Sequence, residues 1–216
     1  MPASEKTGVF RLGALASGGG TNLQAIMDRC ASGDLPARMA VVISNNSGSG
    51  ALERARRAGV PTCHLSGRTH PDPQALDRAI AEVFQSYGVD LVVLGGYMKK
   101  LGPVTLQAYP NRILNIHPAL LPAFGGKGMY GLRVHQAVIE SGAWISGVTV
   151  HLADEEYDHG PIVAQEAVRV GPDDTPESLA VRVLEVEHRL YWEVVRLFAE
   201  GRVAVEGRRV RILERT

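Results

Sequence analysis

Residues 9–30 read VFRLGALASGGGTNLQAIMDRC, an apolar run followed by three glycines and then an amphipathic stretch. The run Val9–Ala16 predicts a buried strand, because strands covered on both faces are nearly continuous apolar segments. Glycines 18–20 permit a sharp turn, and the apolar spacing beyond them predicts a helix over Asn22–Cys30. This stretch therefore predicts the strand–turn–helix unit from which parallel sheets are built.

The same unit recurs through the first half of the chain. We predict further strands at Met39–Ser44, Val60–Leu65, Asp90–Leu94 and Arg112–Ile116. Helices are predicted at Ala51–Ala58, at Gln74–Ser86 and from about Pro103. Strands that alternate with helices at this spacing form right-handed crossovers and a mainly parallel sheet with helices on both faces. We therefore expect an α/β fold with a Rossmann-like central sheet flanked by helices.

The pattern changes after Pro118. The later segments are predicted as a glycine-rich loop at Gly125–Gly131, a helix over Leu132–Glu140, strands at Ser146–Leu152 and Ile162–Val170, a helix from about Thr175 to Ala199, and a hairpin at about 202–212. Pro176 and Glu177 are typical of a helix start. We expect a mixed C-terminal part with a long C-terminal helix, in one domain over residues 1–216 with a tail at about 1–8.

Charge and composition exclude several classes of protein. Lys and Arg together number 23, as do Asp and Glu, so the formal net charge is zero. A nucleic acid partner is not expected, because proteins that bind polyanions carry a basic excess or patch. No apolar segment reaches the roughly 18 residues of a membrane span, and the start lacks the apolar core of a signal peptide. Cys30 and Cys63 form no CxxC pair. We expect a cytoplasmic protein with no membrane or nucleic acid partner.

The glycine-rich segment Ser17–Asn22 is the first candidate site. Its backbone N–H groups and the following helix N-terminus together favour binding of an anion such as a phosphate. The segment does not match the dinucleotide fingerprint, which requires glycine where Leu23 stands, and no lysine follows the glycines as in a Walker loop. The alternative interpretation is a tight turn whose helix is capped by the Thr21 side chain.

A second candidate is Asn115-Ile116-His117-Pro118 at the end of the fifth predicted strand. Strand alternation places Asn115 and His117 on one side, and ligands of parallel sheets bind outside the carboxyl ends of the strands. An amide donor and an imidazole that converge there can stabilise negative charge on a carbonyl oxygen. The alternative is a capped strand end with a hydrogen-bonded histidine.

The acidic loop Asp154–Pro161 contains the third candidate, Asp158. The Gly160-Pro161 pair restricts the backbone and directs this carboxylate inward, whereas most acidic runs are solvated turns. His151, on the preceding strand, points to the same cleft by alternation. A metal site assembled from His117, His151, Asp158 and His159 matches no known ligand spacing, so we predict no metal.

Glu187 is the fourth candidate. It lies on the apolar stripe of the long helix, with Val183, Leu190 and Val194 at helical spacing. Charges on a buried stripe are paired or functional. A structural partner such as an arginine and a ligand contact both remain open for this carboxylate.

Taken together, five segments resemble the glycinamide ribonucleotide formyltransferase family in order and spacing. They are SGGGTN at 17–22, SNNSGSGALERARRAGVP at 44–61, NIHPALLPAFGGKGMYG at 115–131, SGVTVHLADEEYDHGPIVAQ at 146–165 and EHRLYWEVV at 187–195. The resemblance covers roughly residues 9–200. The NIHPALLP and D-x-GPI segments are specific to folate-dependent formyl transfer.

The resemblance implies transfer of a formyl group from 10-formyltetrahydrofolate to the amine of glycinamide ribonucleotide, in purine biosynthesis. It implies Asn115, His117 and Asp158 as catalytic residues, Gly20, Thr21 and Asn22 as phosphate ligands, Glu187 near the sugar or amine, and Met98, Lys99, Lys100, Leu101 and Asn115 beside the folate. The folate is then a co-substrate, no metal is used, and the partners are small molecules bound by a monomer or homodimer.

The implied mechanism makes a prediction about ionisation. Asn115 and a protonated His117 donate hydrogen bonds to the oxyanion of a tetrahedral intermediate, and Asp158 relays the proton that leaves the amine. A carboxylate beside an imidazole favours the charged ring, so we expect a raised pKa for His117.

Other activities compatible with the same motifs remain open. A formyltetrahydrofolate hydrolase shares the catalytic set but is expected to carry a further N-terminal regulatory domain. A methionyl-tRNA formyltransferase is expected to carry a C-terminal nucleic-acid-binding domain and a basic surface. A folate- or nucleotide-binding sensor is the non-enzymatic alternative.

Overall fold

A computed structural model describes residues 8–215, so all but the last residue of the expected N-terminal tail lies outside the described part. The strands are β1 Phe10–Ala16, β2 Ala37–Ser44, β3 Thr62–His64, β4 Leu91–Leu94, β5 Ile113–His117, β6 Ile145–Leu152, β7 Ile162–Arg169, β8 Val203–Glu206 and β9 Arg209–Ile212. The helices are α1 Thr21–Ser32, α2 Gly50–Arg57, α3 Pro73–Ser86, α4 Pro103–Ala108, α5 Leu132–Glu140 and α6 Pro176–Ala199.

Seven strands form one sheet in the order β3-β2-β1-β4-β5-β6-β7. Strands β1 to β5 pair in parallel, whereas β6 runs antiparallel to both of its neighbours. The expected mainly parallel α/β sheet with a mixed C-terminal part is confirmed. The strand order reverses between β1 and β4, and such a switch point opens a crevice at the carboxyl ends of the strands.

Helices cover the two faces of the sheet in separate apolar layers. Leu23 of α1, Val138 of α5 and Val194 of α6 pack in one layer. Phe84 of α3 and Tyr109, just after α4, pack in the other, with their rings edge to face at 5.9 Å. The sheet is therefore buried on both sides, which explains the apolar runs of its central strands.

The long helix α6 begins at Pro176, as Pro176 and Glu177 predict. A capping box lies at its start. The Thr175 side chain accepts from the Ser178 N–H, and the Ser178 hydroxyl accepts from the Thr175 N–H. Further along the helix, the Tyr191 hydroxyl lies 3.0 Å from the Leu94 carbonyl oxygen and 2.9 Å from that of Leu114. Helix α6 is thus fixed to the end of β4 and to the start of β5.

Two local expectations from the sequence are wrong. The N-cap of α1 is Gly20, at φ 73°, and no side chain caps the helix, so the interpretation of Thr21 as a cap fails. Strand β3 spans three residues rather than Val60–Leu65. The reason is that the Val60 N–H donates to the Ala55 carbonyl and closes the end of α2, which removes Val60 from the sheet.

No helix within residues 8–215 combines the length and the apolar character that crossing a membrane requires.

Candidate active site

A cavity of about 700 Å³ opens at the carboxyl ends of the parallel strands, at the switch point of the sheet. It is lined by every residue that the sequence analysis assigned to a site, namely Gly20, Thr21, Asn22, Met98, Lys99, Lys100, Leu101, Asn115, His117, Asp158 and Glu187. Residues remote in sequence therefore converge on one space large enough for a substrate of small-molecule size.

The glycine loop forms one end of this cavity. The first helical hydrogen bond of α1 runs from the Gln24 N–H to the Gly20 carbonyl, so the preceding amides have no acceptor within the helix. The Gly18 carbonyl accepts from the Ala51 N–H, and the Gly19 carbonyl accepts from the Arg54 guanidinium at 2.9 Å. Because these carbonyls bond to α2, the loop can present N–H groups to an anion.

Gly20 meets two steric demands at this turn. Its φ of 73° lies in the left-handed region, and an added Cβ would lie 2.7 Å from the Ala51 Cα. A side chain at this position would have to displace the start of α2 and would distort the loop. The glycine is therefore required by geometry, independently of any ligand.

Glu187 projects from α6 toward the same end of the cavity and is only 8% exposed. Burial raises the pKa of Glu187 to about 7, against the opposing effect of a hydrogen bond from Asn22. The Asn22 amide nitrogen lies 3.4 Å from the carboxylate, and the Asn22 amide oxygen is buried without a partner among residues 8–215. Within that part of the chain, the partner of Glu187 is thus an amide and not an arginine.

His117, at the end of β5, is 3% exposed. Its Nε2 lies 2.8 Å from the Phe124 carbonyl oxygen, which identifies Nε2 as the protonated nitrogen. Its Nδ1 lies 3.5 Å from Oδ2 of Asp158. Burial lowers the pKa of His117, and this effect outweighs the neighbouring carboxylate. The expected raised pKa is wrong, because burial disfavours the charged ring more than Asp158 favours it.

Asp158 is held in a strained backbone conformation with φ at 56°. Its Oδ2 accepts from the Gly126 N–H at 2.9 Å. Burial alone would raise the pKa of Asp158, yet the imidazoles of His151 and His117 and this N–H hold it below its ordinary value. The carboxylate is therefore ionised near neutral pH.

The D-x-G-P segment explains how this carboxylate reaches the cavity. A Cβ on Gly160 would lie 1.8 Å from the Leu152 carbonyl oxygen, so only glycine allows the loop to return against β6 at this point. The return turns Asp158 toward β5, as the Gly160-Pro161 pair predicts.

Asn115 is bonded to the residues around it. Its Nδ2 lies 3.0 Å from Nε2 of His151 and 3.4 Å from Oδ1 of Asp158. Nδ1 of His151 lies 3.0 Å from the Leu152 carbonyl oxygen, so this nitrogen carries the proton and Nε2 accepts from Asn115. His151 thus joins the cluster, as strand alternation predicts, and orients the Asn115 amide.

Three of the four residues in the rejected metal hypothesis do come together, but His159 does not. His159 lies on the outside of the loop, with Nδ1 3.2 Å from the Asp154 carboxylate and its carbonyl 2.7 Å from the Arg208 guanidinium. Within residues 8–215 no group of three or more His, Cys, Asp or Glu side chains has the geometry of a metal site. Metal independence stays a prediction.

The segment Met98–Leu101 and the start of the acidic loop also line the cavity. The Met98 N–H donates to the Ser17 hydroxyl at 2.8 Å, which connects this segment to the glycine loop. Leu101 is buried in the apolar layer of α3 and α4, whereas Lys99 and Lys100 are exposed. This segment therefore combines a buried apolar side chain with two exposed lysines.

His135 is a polar cavity residue that was not predicted from the sequence. It lies on the buried face of α5 with Val134 and Val138 and lines the cavity. The signal was available, because a polar residue on an apolar helical stripe is the same feature that singled out Glu187.

Comparison with known proteins places this geometry in a family. The formyl transferase family matches residues 10–195 of the chain. The chain belongs to the formyl transferase family. The resemblance inferred from the sequence is thereby confirmed.

Individual relatives of this formyl transferase carry a more specific name. The chloroplastic phosphoribosylglycinamide formyltransferase of Arabidopsis thaliana is 47% identical over 194 residues, which are 89% of this chain and 66% of that protein. The phosphoribosylglycinamide formyltransferase of Haemophilus influenzae is 42% identical over 196 residues, which are 91% of this chain and 90% of that protein. The chain thus spans about two thirds of the plant relative.

A solved structure extends the similarity to three dimensions. Glycinamide ribonucleotide transformylase 1 from Symbiobacterium toebii is 52% identical to this formyl transferase, with a TM-score of 0.90 and coverage of 95% of both chains. The α/β architecture and the long C-terminal helix are those of this family.

Proposed function

We propose that this formyl transferase moves a formyl group from 10-formyltetrahydrofolate to the primary amine of glycinamide ribonucleotide. The observation that carries the proposal is the position of the His117–Asp158 pair. It lines one cavity together with two chemically different segments, a glycine loop whose amides can bind an anion and the segment Met98–Leu101, which combines apolar side chains with two lysines. Acyl transfer between two substrates requires that both bind beside such a pair.

The glycine loop fits the phosphate of the ribonucleotide. Amides of Gly20, Thr21 and Asn22 at the start of α1 can hold a phosphate without a lysine. Glu187, on the adjacent helix, then lies near the sugar or the amine. The relatives that carry the name phosphoribosylglycinamide formyltransferase support this choice of acceptor.

The segment Met98–Leu101 fits the folate. Met98 and Leu101 supply apolar contact for a flat ring system, and Lys99 and Lys100 supply charge complementary to a carboxylate-bearing tail. Asn115 lines the same cavity, where its amide can contact the formyl oxygen.

The chemistry follows from the protonation states. The substrate amine attacks the formyl carbon, a carbon–nitrogen bond forms, and the formyl oxygen becomes an oxyanion. Asn115 donates to that oxygen after releasing its weak 3.4 Å contact with Asp158. The amine proton passes to the gap between Nδ1 of His117 and Asp158, where an unprotonated nitrogen faces a carboxylate. Cleavage of the bond from the formyl carbon to the folate nitrogen, with a proton returned to that nitrogen, completes the transfer.

Asp158 therefore does not keep His117 protonated before the reaction, as the sequence led us to expect. His117 begins neutral and becomes charged only when it takes the proton, and the carboxylate then stabilises the imidazolium. A neutral imidazole beside an ionised carboxylate is a suitable proton acceptor at neutral pH.

A folate deformylation assay with and without glycinamide ribonucleotide tests the proposal. We expect tetrahydrofolate to form only when the ribonucleotide is present, with one formylated product for each folate consumed. Equal turnover without the ribonucleotide identifies a hydrolase instead. Binding of both ligands without turnover identifies a sensor.

The remaining assignments form part of the same proposal. We take residues 1–216 as a single formyltransferase domain that uses no metal, binds no nucleic acid and acts in the cytoplasm as a monomer or homodimer. The Arabidopsis relative is named as chloroplastic, so fractionation of the source cells is the test of location.

A further inference from the structure

His135 is a buried polar residue that the proposed mechanism does not use. It projects from the first turns of α5, is 4% exposed, and lines the central cavity. Its Nδ1 is buried and has no hydrogen-bond partner among residues 8–215. The other buried histidines of the cavity differ, because His117 bonds to a carbonyl and both ring nitrogens of His151 are engaged.

An unpaired buried nitrogen is unfavourable for folding, since it gives up its water without gaining a partner. An apolar side chain of similar size would fit between Val134 and Val138 at no such cost. A residue kept only for packing would not require an imidazole here. Because the ring lines the cavity, a bound molecule can supply the missing hydrogen-bond partner.

The ring is neutral in the free protein. Burial lowers the pKa of His135, and the nearby His117 lowers it further. A neutral imidazole offers one N–H donor and one nitrogen acceptor. Such a pair suits an uncharged hydroxyl or amide better than a phosphate, which is better matched by the glycine loop.

The location of α5 decides which substrate His135 faces. Val138 of α5 packs in the same apolar layer as Leu23 of α1 and Val183 of α6. Ala180, Leu184 and Glu187 of α6 line the cavity on this side. Leu101, in the segment proposed to hold the folate, packs in the layer on the other face of the sheet. His135, on the same helix as Val138, therefore lies on the face of the sheet that carries α1 and Glu187.

We propose that His135 binds the acceptor substrate by a hydrogen bond to its uncharged ribose–glycinamide part. The inference rests on the proposed function, because it takes that ribonucleotide as the acceptor. It adds a contact that recognises the body of the substrate rather than its phosphate.

The test compares His135→Leu and His135→Gln with the wild-type enzyme. We measure the dissociation constant for glycinamide ribonucleotide by calorimetry, the KM of each substrate, and the melting temperature of the ligand-free protein. We expect His135→Leu to weaken ribonucleotide binding about tenfold, as for one lost neutral hydrogen bond, with the folate KM unchanged. His135→Gln, which keeps a donor and an acceptor, should recover part of the affinity. His64→Leu, on edge strand β3 outside the cavity lining, is the control and should change neither constant.

Stability separates this role from a structural one. Because His135→Leu removes an unpaired buried nitrogen, its ligand-free melting temperature should equal or exceed that of the wild type. A lower melting temperature with unchanged ribonucleotide affinity overturns the proposal, and so does an equal loss of affinity for both substrates. Wild-type protein that does not bind the ribonucleotide refutes the proposed function, and this inference with it. Normal wild-type binding that His135→Leu leaves intact refutes only the role of His135.

Discussion

Nδ1 of His117 faces Oδ2 of Asp158 across 3.5 Å, and neither atom has a proton to offer the other. Nε2 of His117 donates to the Phe124 carbonyl, so Nδ1 is a lone pair, and Asp158 has a lowered pKa. A lone pair and a carboxylate at this distance favour uptake of a proton between them. The pair is therefore arranged to receive the proton that leaves the attacking amine.

Replacing Gly20 with Val should raise the KM of glycinamide ribonucleotide by about tenfold or more, as expected when a phosphate loses several backbone donors. The folate KM should change little, because the residues proposed to contact the folate, Met98–Leu101 and Asn115, do not include the amides of the loop. The physical reason is the 2.7 Å approach of a Cβ to Ala51 combined with the φ of 73°.

Gly33→Ala is the matched control for this substitution. Gly33 also has a positive φ, at 82°, but a Cβ there meets nothing within 4 Å and lies at the other end of α1. Steady-state kinetics on both variants separates backbone strain from distortion of the loop. Similar increases in both substrate constants for Gly20→Val would rule out the phosphate assignment.

Glu187 should make folding stability depend on pH. Burial raises the pKa of Glu187 to about 7 from an ordinary value of 4.5, so the folded protein keeps a proton that the unfolded chain loses between those values. The free energy of unfolding should therefore fall by about 3 kcal/mol as pH rises through this window.

Glu187→Gln tests this dependence, because the amide is isosteric and does not titrate. Urea unfolding at pH 5 and pH 8 should show a smaller loss of stability in the variant than in the wild type. Parallel stability profiles for the two proteins would mean that Glu187 is ionised in the folded state at both pH values.

Most of the fold could be predicted from the sequence because its signals are local. The apolar run of β4 and the start signals of α6 depend only on neighbouring residues. The length of β3 could not be predicted, because Val60 bonds back to Ala55 instead of joining the sheet. Local patterns do not contain such a competition between two hydrogen-bond partners.

The catalytic residues of the site could be predicted from the sequence, but their protonation states could not. Alternation along β5 places Asn115 and His117 together, and the Gly160-Pro161 pair and the family resemblance both indicate Asp158. The lowered pKa of His117 depends on its burial in the folded protein, which outweighs the raising effects of Asp158 and of the hydrogen bond that Nε2 donates to the Phe124 carbonyl. For the same reason the unpaired state of His135 becomes visible only in three dimensions.

Activity should persist after exhaustive treatment with a metal chelator, because the proposed groups move the proton and stabilise the oxyanion without a metal ion. Turnover of the chelated enzyme, measured against an untreated sample, checks this prediction. Loss of activity that Zn²⁺ or another divalent ion restores would support a metal site at His117, His151 and Asp158.

In the proposed mechanism His117 and Asp158 act as one proton-accepting unit, and a double-mutant cycle on kcat measures this coupling. Asp158→Asn keeps the shape of the side chain but removes the charge that stabilises the imidazolium. We expect it to lower kcat on the order of a hundredfold, as for a lost proton acceptor, with little change in the affinity for either substrate.

The measurement is kcat for Asp158→Asn, His117→Ala and the double variant under saturating substrates. Residues that act as a unit lose their function together, so the double variant should be only slightly slower than the slower single variant. A double variant whose loss equals the product of the two single losses would show that His117 and Asp158 act independently, and would contradict the mechanism.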